Sequence, residues 1–83
     1  MPTVLRANGF RVAIFPPGRE HGPPHVHVFV GGGEAKILIP LMGEDPLVRY
    51  VRGMREDLAW EACRLIARHD EFLLAKWREL HDA

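Results

Sequence analysis

The chain has 83 residues, of which 47% are hydrophobic, and its 11 basic and 11 acidic side chains cancel. A chain of this length forms one domain over residues 1–83, with room for a sheet and a pair of helices but no second core. Because the net charge is zero, no overall field draws the protein onto nucleic acid or a membrane, and any such attraction must be local.

The single cysteine, Cys63, lies within a helical pattern and has no second cysteine to pair with. This usage suits a reducing compartment, and we expect the thiol to be buried and inert. No charged leader precedes an apolar run, and no apolar stretch is long enough to cross a bilayer. We therefore expect a cytoplasmic protein that does not enter a membrane.

The first predicted element is a β-hairpin around Asn8-Gly9, a dipeptide that favours a two-residue type I′ turn between alternating segments. This turn places Arg6 directly opposite Arg11. Like charges in that position destabilise a sheet unless an anion lies between them, although two solvated arginines pointing apart remain the alternative. The same register predicts three pairs on the apolar face: Ala7 with Phe10, Leu5 with Val12, and Thr3 with Ile14.

The second predicted hairpin follows a proline-rich loop, residues 16–24, and begins with the segment Pro-Pro-His-Val-His-Val. A turn at Gly32-Gly33 leaves one face apolar and avoids burying charge without a partner. We expect the opposite, polar face to be open to solvent. Its predicted members are His25, His27, Phe29, Glu34, Lys36 and Leu38.

The C-terminal part begins with residues 47–52, either an edge strand or an extended lead, and continues with helical spacing from Arg55. One helix would be about 40 Å long, so we expect a break with Asp70 as the N-cap of a second helix. The sequence leaves open whether this region forms one helix or two. The predicted apolar stripe is Leu58, Ala62, Leu65, Ile66, His69, Leu73, Trp77 and Leu80.

These elements predict an α+β fold, an antiparallel sheet of two β-hairpins with C-terminal helices packed on one face. We expect Leu73 and Trp77 to be buried against that face. The sheet residues expected beneath the helices are Leu5, Val12, Ile14, Val26, Val28, Ile37 and Ile39.

Several segments together resemble one known family. They are the opening Met-Pro-Thr-Val, residues 20–28 with their Pro-Pro-His-Val-His-Val core, Gly-Glu-Ala-Lys at 33–36, Arg52-Gly53-Met54, and Leu-Ala-Lys-Trp at 74–77. Over essentially the whole chain the sequence resembles the small bacterial domain-of-unknown-function family 4160. The resemblance implies a stand-alone protein encoded beside another small protein, as in a toxin–antitoxin pair or a small regulatory operon. It implies no catalytic residue, and Arg55 stands where the family suggests a Ser or Thr helix cap.

Three functions compete for the polar face. The first is binding of RNA or another anion, because cations and stacking rings on an open sheet suit single-stranded RNA. The residues expected to bind are Arg6, Arg11, Phe15, Phe29 and Lys36, with His25 and His27 beside them.

The second function is metal binding, since histidines two apart on a strand point the same way and can share an ion. His25 and His27 would bind a divalent metal ion, with His21, Glu20 or Glu34 as a third ligand. No other cofactor is expected.

The third function is a small metal-free ribonuclease, whose catalytic candidates are His25 and His27 as acid and base and Arg11 as the phosphate ligand. Outside these functions, the histidines would be packed or face a protein partner. An aromatic, arginine-rich face of this kind marks an interaction site. We therefore expect either a second copy of the chain or the protein encoded by the adjacent gene as a partner.

Overall fold

The computed structural model describes residues 3–18, 21–41 and 43–81. Five antiparallel strands follow one another across a single sheet in chain order, and two helices complete the chain. The predicted α+β class is confirmed, and the segment at 47–52 is an edge strand. The elements are β1 (Thr3–Ala7), β2 (Phe10–Ala13), β3 (His25–Val30), β4 (Gly33–Leu38), β5 (Leu47–Arg52), α1 (Glu56–Arg68) and α2 (Asp70–His81).

The first hairpin turns at Asn8-Gly9, whose φ angles of 53° and 84° are both positive, as a type I′ turn requires. The predicted pairing of Arg6 with Arg11 is confirmed. The predicted pairing of Thr3 with Ile14 is wrong. An irregularity between Thr3 and Leu5 sets Thr3 opposite Ala13 instead, which moves the threonine onto the arginine side of the sheet.

The second hairpin turns at Gly31-Gly32, so the prediction of a turn at Gly32-Gly33 is wrong by one position. Gly31 has a φ of 57°, as the first central residue of a type II′ turn does. Gly33 belongs to β4, where a Cβ would lie 2.5 Å from the carbonyl oxygen of Gly53. The pairing shifts by two residues, so every side chain keeps its predicted face.

The hydrophobic core lies on the valine face of the sheet. Most of the predicted core is buried, including Leu73 and Trp77, and Cys63 is buried as expected. Leu5 is only half-buried, and the prediction that Leu80 belongs to the buried stripe is wrong, because it is 39% exposed. Trp77 also contacts His25 of the opposite face, which was not predicted. Helix α1 covers this face at β4 and β5. The fully buried side chains include Val12, Ile14, Val26, Val28, Ile37, Leu65, Ile66 and Leu73.

The helical region is broken, as predicted, and His69 separates the two helices. Leu73 N–H donates to the carbonyl of His69, so His69 occupies the capping position and Asp70 is the first helical residue. The predicted cap was therefore one residue late. Arg55 precedes α1 and makes no side-chain cap. Neither helix of the described chain has the length and apolar character needed to cross a membrane.

Candidate functional site

A continuous row of side chains crosses all five strands near the hairpin turns. The registers place Arg6 opposite Arg11, Arg11 opposite Phe29, Phe29 opposite Glu34, and Glu34 opposite Arg52. Residues directly opposite one another point to the same face, so these five side chains share it. We call Arg6, Arg11, Phe29, Glu34 and Arg52 the basic row.

Arg11 is the most firmly held cation of the basic row. Its guanidinium lies over the Phe29 ring, 4.4 Å from the ring centroid, and its Nη1 donates a hydrogen bond of 3.2 Å to Thr3 Oγ1. The strand irregularity beside Thr3 makes this bond possible, since it brings the hydroxyl to the arginine side. Arg6, its cross-strand neighbour, is exposed.

An open groove of about 320 Å³ lies beside these two arginines. Its volume falls at the small end of the range of ligand pockets in proteins, about 300–1,000 Å³. Glycines of both hairpin turns form part of its wall, so backbone as well as side chains faces the space. The groove is lined by Arg6, Gly9, Arg11, Phe29, Val30, Gly31, Gly32, Gly33 and Glu34.

Glu34 joins the basic row to the histidine strand. Its Oε2 accepts hydrogen bonds of 2.8 Å from the Tyr50 hydroxyl and from His27 Nδ1. Burial raises the pKa of Glu34, but the bonds from Tyr50 and His27 and the charges of His27 and Arg52 outweigh it, so the pKa lies below its ordinary 4.5. These contacts favour the ionised carboxylate, whose Oε2 accepts both hydrogen bonds. Arg52 lies over the Tyr50 ring at 4.5 Å from the ring centroid.

The two histidines of β3 are buried, so the expectation that they lie on an open face is wrong. His25 is 2% exposed and His27 is 6% exposed. Helix α2 brings Trp77 to 5.0 Å from the His25 ring, and Phe15 lies edge-on to His27 at 4.9 Å. The alternation of residues predicted the correct face, but it could not predict that a helix end would cover part of it.

Hydrogen bonds fix both histidine rings. His25 Nδ1 donates to the Pro23 carbonyl at 2.9 Å, and His27 Nδ1 donates to the Glu34 carboxylate. Carbonyl and carboxylate oxygens only accept hydrogen bonds, so Nδ1 carries the proton in each ring. Both rings are therefore buried and held in one orientation, as is usual for side chains in the packed interior of a domain.

The predicted metal and catalytic sites gain no support from this geometry. Within the described ranges, no three His, Cys, Asp or Glu side chains are grouped so that they could hold a metal ion. His21 is exposed on the loop before β3, and Glu20 lies outside the described residues. A ribonuclease needs histidines that reach a substrate, which rings at 2% and 6% exposure do not. Both hypotheses stay predictions.

The predicted anion ligands divide into two groups. Arg6, Arg11 and Phe29 belong to the basic row, and Lys36 lies in the neighbouring row, opposite Tyr50. Phe15 packs on His27 instead of joining them. Tyr50 was not predicted as a site residue. A signal for its position was nonetheless present in the sequence. Pairing β5 with β4 so that the opposite charges of Glu34 and Arg52 meet also places Tyr50, two residues before Arg52, on the same face as Glu34.

Fold and site define a small α+β domain that carries a partly open, arginine-bearing sheet face. The family model of DUF4160, a domain of unknown function, matches residues 9–78. The match spans most of the chain, so the protein belongs to this family, as the sequence segments indicated. No match was found among curated proteins or among solved structures.

Proposed function

We propose that the protein binds an anionic partner, foremost the phosphate backbone of single-stranded RNA, through the basic row. The observation that carries the proposal is the direct pairing of Arg6 with Arg11 at the edge of an open groove. An RNA-binding role also fits the small regulatory or toxin–antitoxin-like operon that the family resemblance implies, and the cytoplasmic location expected from the sequence.

The arginine pair is unfavourable without an anion. Two like charges directly opposite each other cost a few tenths of a kcal/mol up to about 1 kcal/mol. A phosphate between them reverses the sign, because the planar guanidinium donates two parallel hydrogen bonds to phosphate oxygens. The groove beside Arg6 and Arg11 offers the space for such a group.

Arg11 is arranged for binding before a ligand arrives. The Thr3 hydroxyl and the Phe29 ring fix its side chain, so less conformational entropy is lost when it binds. Its guanidinium is also a plane on which an unpaired base can stack, which is a common mode of RNA recognition. Arg6 is the exposed residue of the otherwise half-buried first strand, so its side chain is accessible to a phosphate.

The local charge favours an anion although the whole chain is neutral. The basic row and the row beside it carry the cations Arg6, Arg11, Lys36 and Arg52, against the carboxylate Glu34. Glu34 turns its Oε2 to Tyr50 and His27, so its charge is partly compensated. Phosphate contacts supply most sequence-independent affinity for RNA, and such a face is suited to that mode.

A fluorescence anisotropy titration with a labelled single-stranded uridine oligonucleotide tests the proposal. Arg11→Gln and Arg6→Gln should each weaken binding by about tenfold or more, because a charge-assisted hydrogen bond contributes roughly 1.5–3 kcal/mol. Arg68→Gln is the matched control, since it removes one exposed positive charge at the end of α1. Equal affinity in all four proteins, or no binding by the wild type, would overturn the proposal.

A further inference from the structure

The outer edge of β5 gathers large apolar side chains that remain in solvent. Strand β5 ends the sheet, and so does β1 on the other side. Among the described residues the exposed large hydrophobics near β5 are Leu41, Leu47, Val51 and Trp60, whereas β1 has none. Trp60 projects from α1 at 59% exposure. Exposed aromatic and aliphatic side chains grouped beside a free sheet edge mark an interaction surface.

Apolar grooves flank this edge on both faces of the sheet. On the Leu47 side lies a groove of about 430 Å³, lined in part by Pro23, Leu38 and Leu41. On the Val48 side lies a groove of about 240 Å³ between β5 and α1, whose apolar lining includes Trp60. A strand added at this edge would project alternate side chains toward the two grooves.

We propose that the occupant of this edge is the β5 strand of a second copy of the chain, antiparallel to the first, with the two-fold axis between Arg49 and Tyr50. This pairing sets Val48 opposite the second copy's Val51. It also sets Leu47 opposite the second copy's Arg52. The interface is isologous, so each contact occurs twice.

Charge complementarity favours a second copy over an unrelated strand. Glu44 and Asp45 precede β5 and rim the larger groove, whereas Arg52 closes the strand. Antiparallel pairing brings the acidic end of each copy beside the basic end of the other. An Arg side chain is long enough to reach a diagonal neighbour across a strand pair, so Asp45 and the second copy's Arg52 can form an ion pair.

The irregularity within β5 places Val48 and Val51 on the same face of the sheet. Ladder pairing sets Val48 opposite Ile37, Tyr50 opposite Lys36 and Val51 opposite Ala35, with Arg49 as the extra residue. Without it, Val48 and Val51 would point to opposite faces; with it, both lie on the α1 side and can meet across the two-fold axis. A bulge also interrupts hydrogen bonding along an edge. The dimer should therefore be reversible and not obligate.

Sedimentation equilibrium of the untagged protein tests this inference. The monomer mass is 9.4 kDa, and the weight-average mass should rise toward twice that value between about 5 and 500 µM. Val51→Lys should hold the protein at the monomer mass throughout. Leu80→Lys is the matched control, because Val51 and Leu80 are both 39% exposed and Leu80 lies on α2. Circular dichroism confirms that each variant is folded.

A charge reversal provides a second test that leaves the apolar residues and the basic row unchanged. Asp45→Arg should weaken the dimer, because it sets an arginine beside the second copy's Arg52 in place of the ion pair. A wild type that stays monomeric at the highest concentration overturns the inference. The inference is also overturned if the Val51→Lys and Leu80→Lys proteins dissociate into monomers to the same extent. Neither result bears on RNA binding, so this inference and the proposed function fail independently.

Discussion

Replacing Trp77 with alanine should strongly destabilise the domain. The side chain is 5% exposed, its ring stacks on His81 at 3.6 Å between centroids, and it lies 5.0 Å from His25. His81 in turn donates from Nε2 to the Phe15 carbonyl at 2.9 Å. Trp77 therefore connects the end of α2 to the histidine strand, and its removal leaves a cavity beside a buried polar ring.

The expected loss is about 3–5 kcal/mol, the usual range for truncating a buried tryptophan in a core. A domain of 83 residues has a total stability of roughly 4–12 kcal/mol at 0.05–0.15 kcal/mol per residue. The substitution would thus remove at least about a quarter of the free energy of unfolding and, at the lower end of that stability range, nearly all of it. Trp60→Ala is the matched control, because that tryptophan is 59% exposed and its truncation should change stability by no more than about 0.5 kcal/mol.

Urea denaturation followed by far-UV circular dichroism measures both variants, at low micromolar concentration so that self-association does not contribute. Trp77→Ala should shift the midpoint far toward zero urea or leave no folded baseline. Trp60→Ala should retain the wild-type midpoint. If the two substitutions had similar effects, Trp77 would not cover His25, and the burial of that ring would need another explanation.

Three further predictions follow from particular contacts. Gly33→Ala should lower the free energy of unfolding by about 1–3 kcal/mol in chemical denaturation, because the new Cβ would press on the Gly53 backbone. Gly32→Ala is the control, since its Cβ would meet nothing within 4 Å, and it should change that free energy by less than about 0.5 kcal/mol. Equal losses in the two variants would contradict the turn assignment. The pKa of Glu34 is lowered in the folded protein, so its carboxylate stabilises the fold fully when the pH is above the ordinary pKa, and this stabilisation is lost as the pH falls through the folded-state pKa. Glu34→Gln should therefore lessen the loss of stability between neutral pH and pH of about 3. An unchanged dependence of stability on pH would argue against the network of Glu34, His27 and Tyr50. Millimolar phosphate should raise the melting temperature of the wild type and not of Arg11→Gln, and equal shifts would mean that the arginines are only solvated.

The sequence predicted the parts of the fold that depend on local chemistry. Asn8-Gly9 fixed the first turn and with it the pairing of Arg6 and Arg11, because few dipeptides adopt two successive positive φ angles. Alternation in β3 and β4 predicted the correct faces even though the turn was misplaced by one residue, since the pairing shifted by an even number.

The contacts made between distant segments were not predictable in the same way. The burial of His25 depends on Trp77, some fifty residues later in the chain, and the burial of His27 depends on Phe15 and Tyr50. Helical periodicity does not say which sheet residue a helix end will meet. The Thr3 bond to Arg11 depends on a strand irregularity that no turn signal marks. Both are features of tertiary packing, which overrides the local pattern.

The salt dependence of RNA binding reports how many phosphates the protein contacts. For single strands, the logarithm of affinity falls with the logarithm of salt concentration by about 0.7 per phosphate contact. Removing the charge of Arg11 or Arg6 should reduce that slope by about 0.7 each, while Arg68→Gln should leave it unchanged. A slope that is the same in the wild type, Arg11→Gln and Arg6→Gln would contradict phosphate binding by the arginine pair.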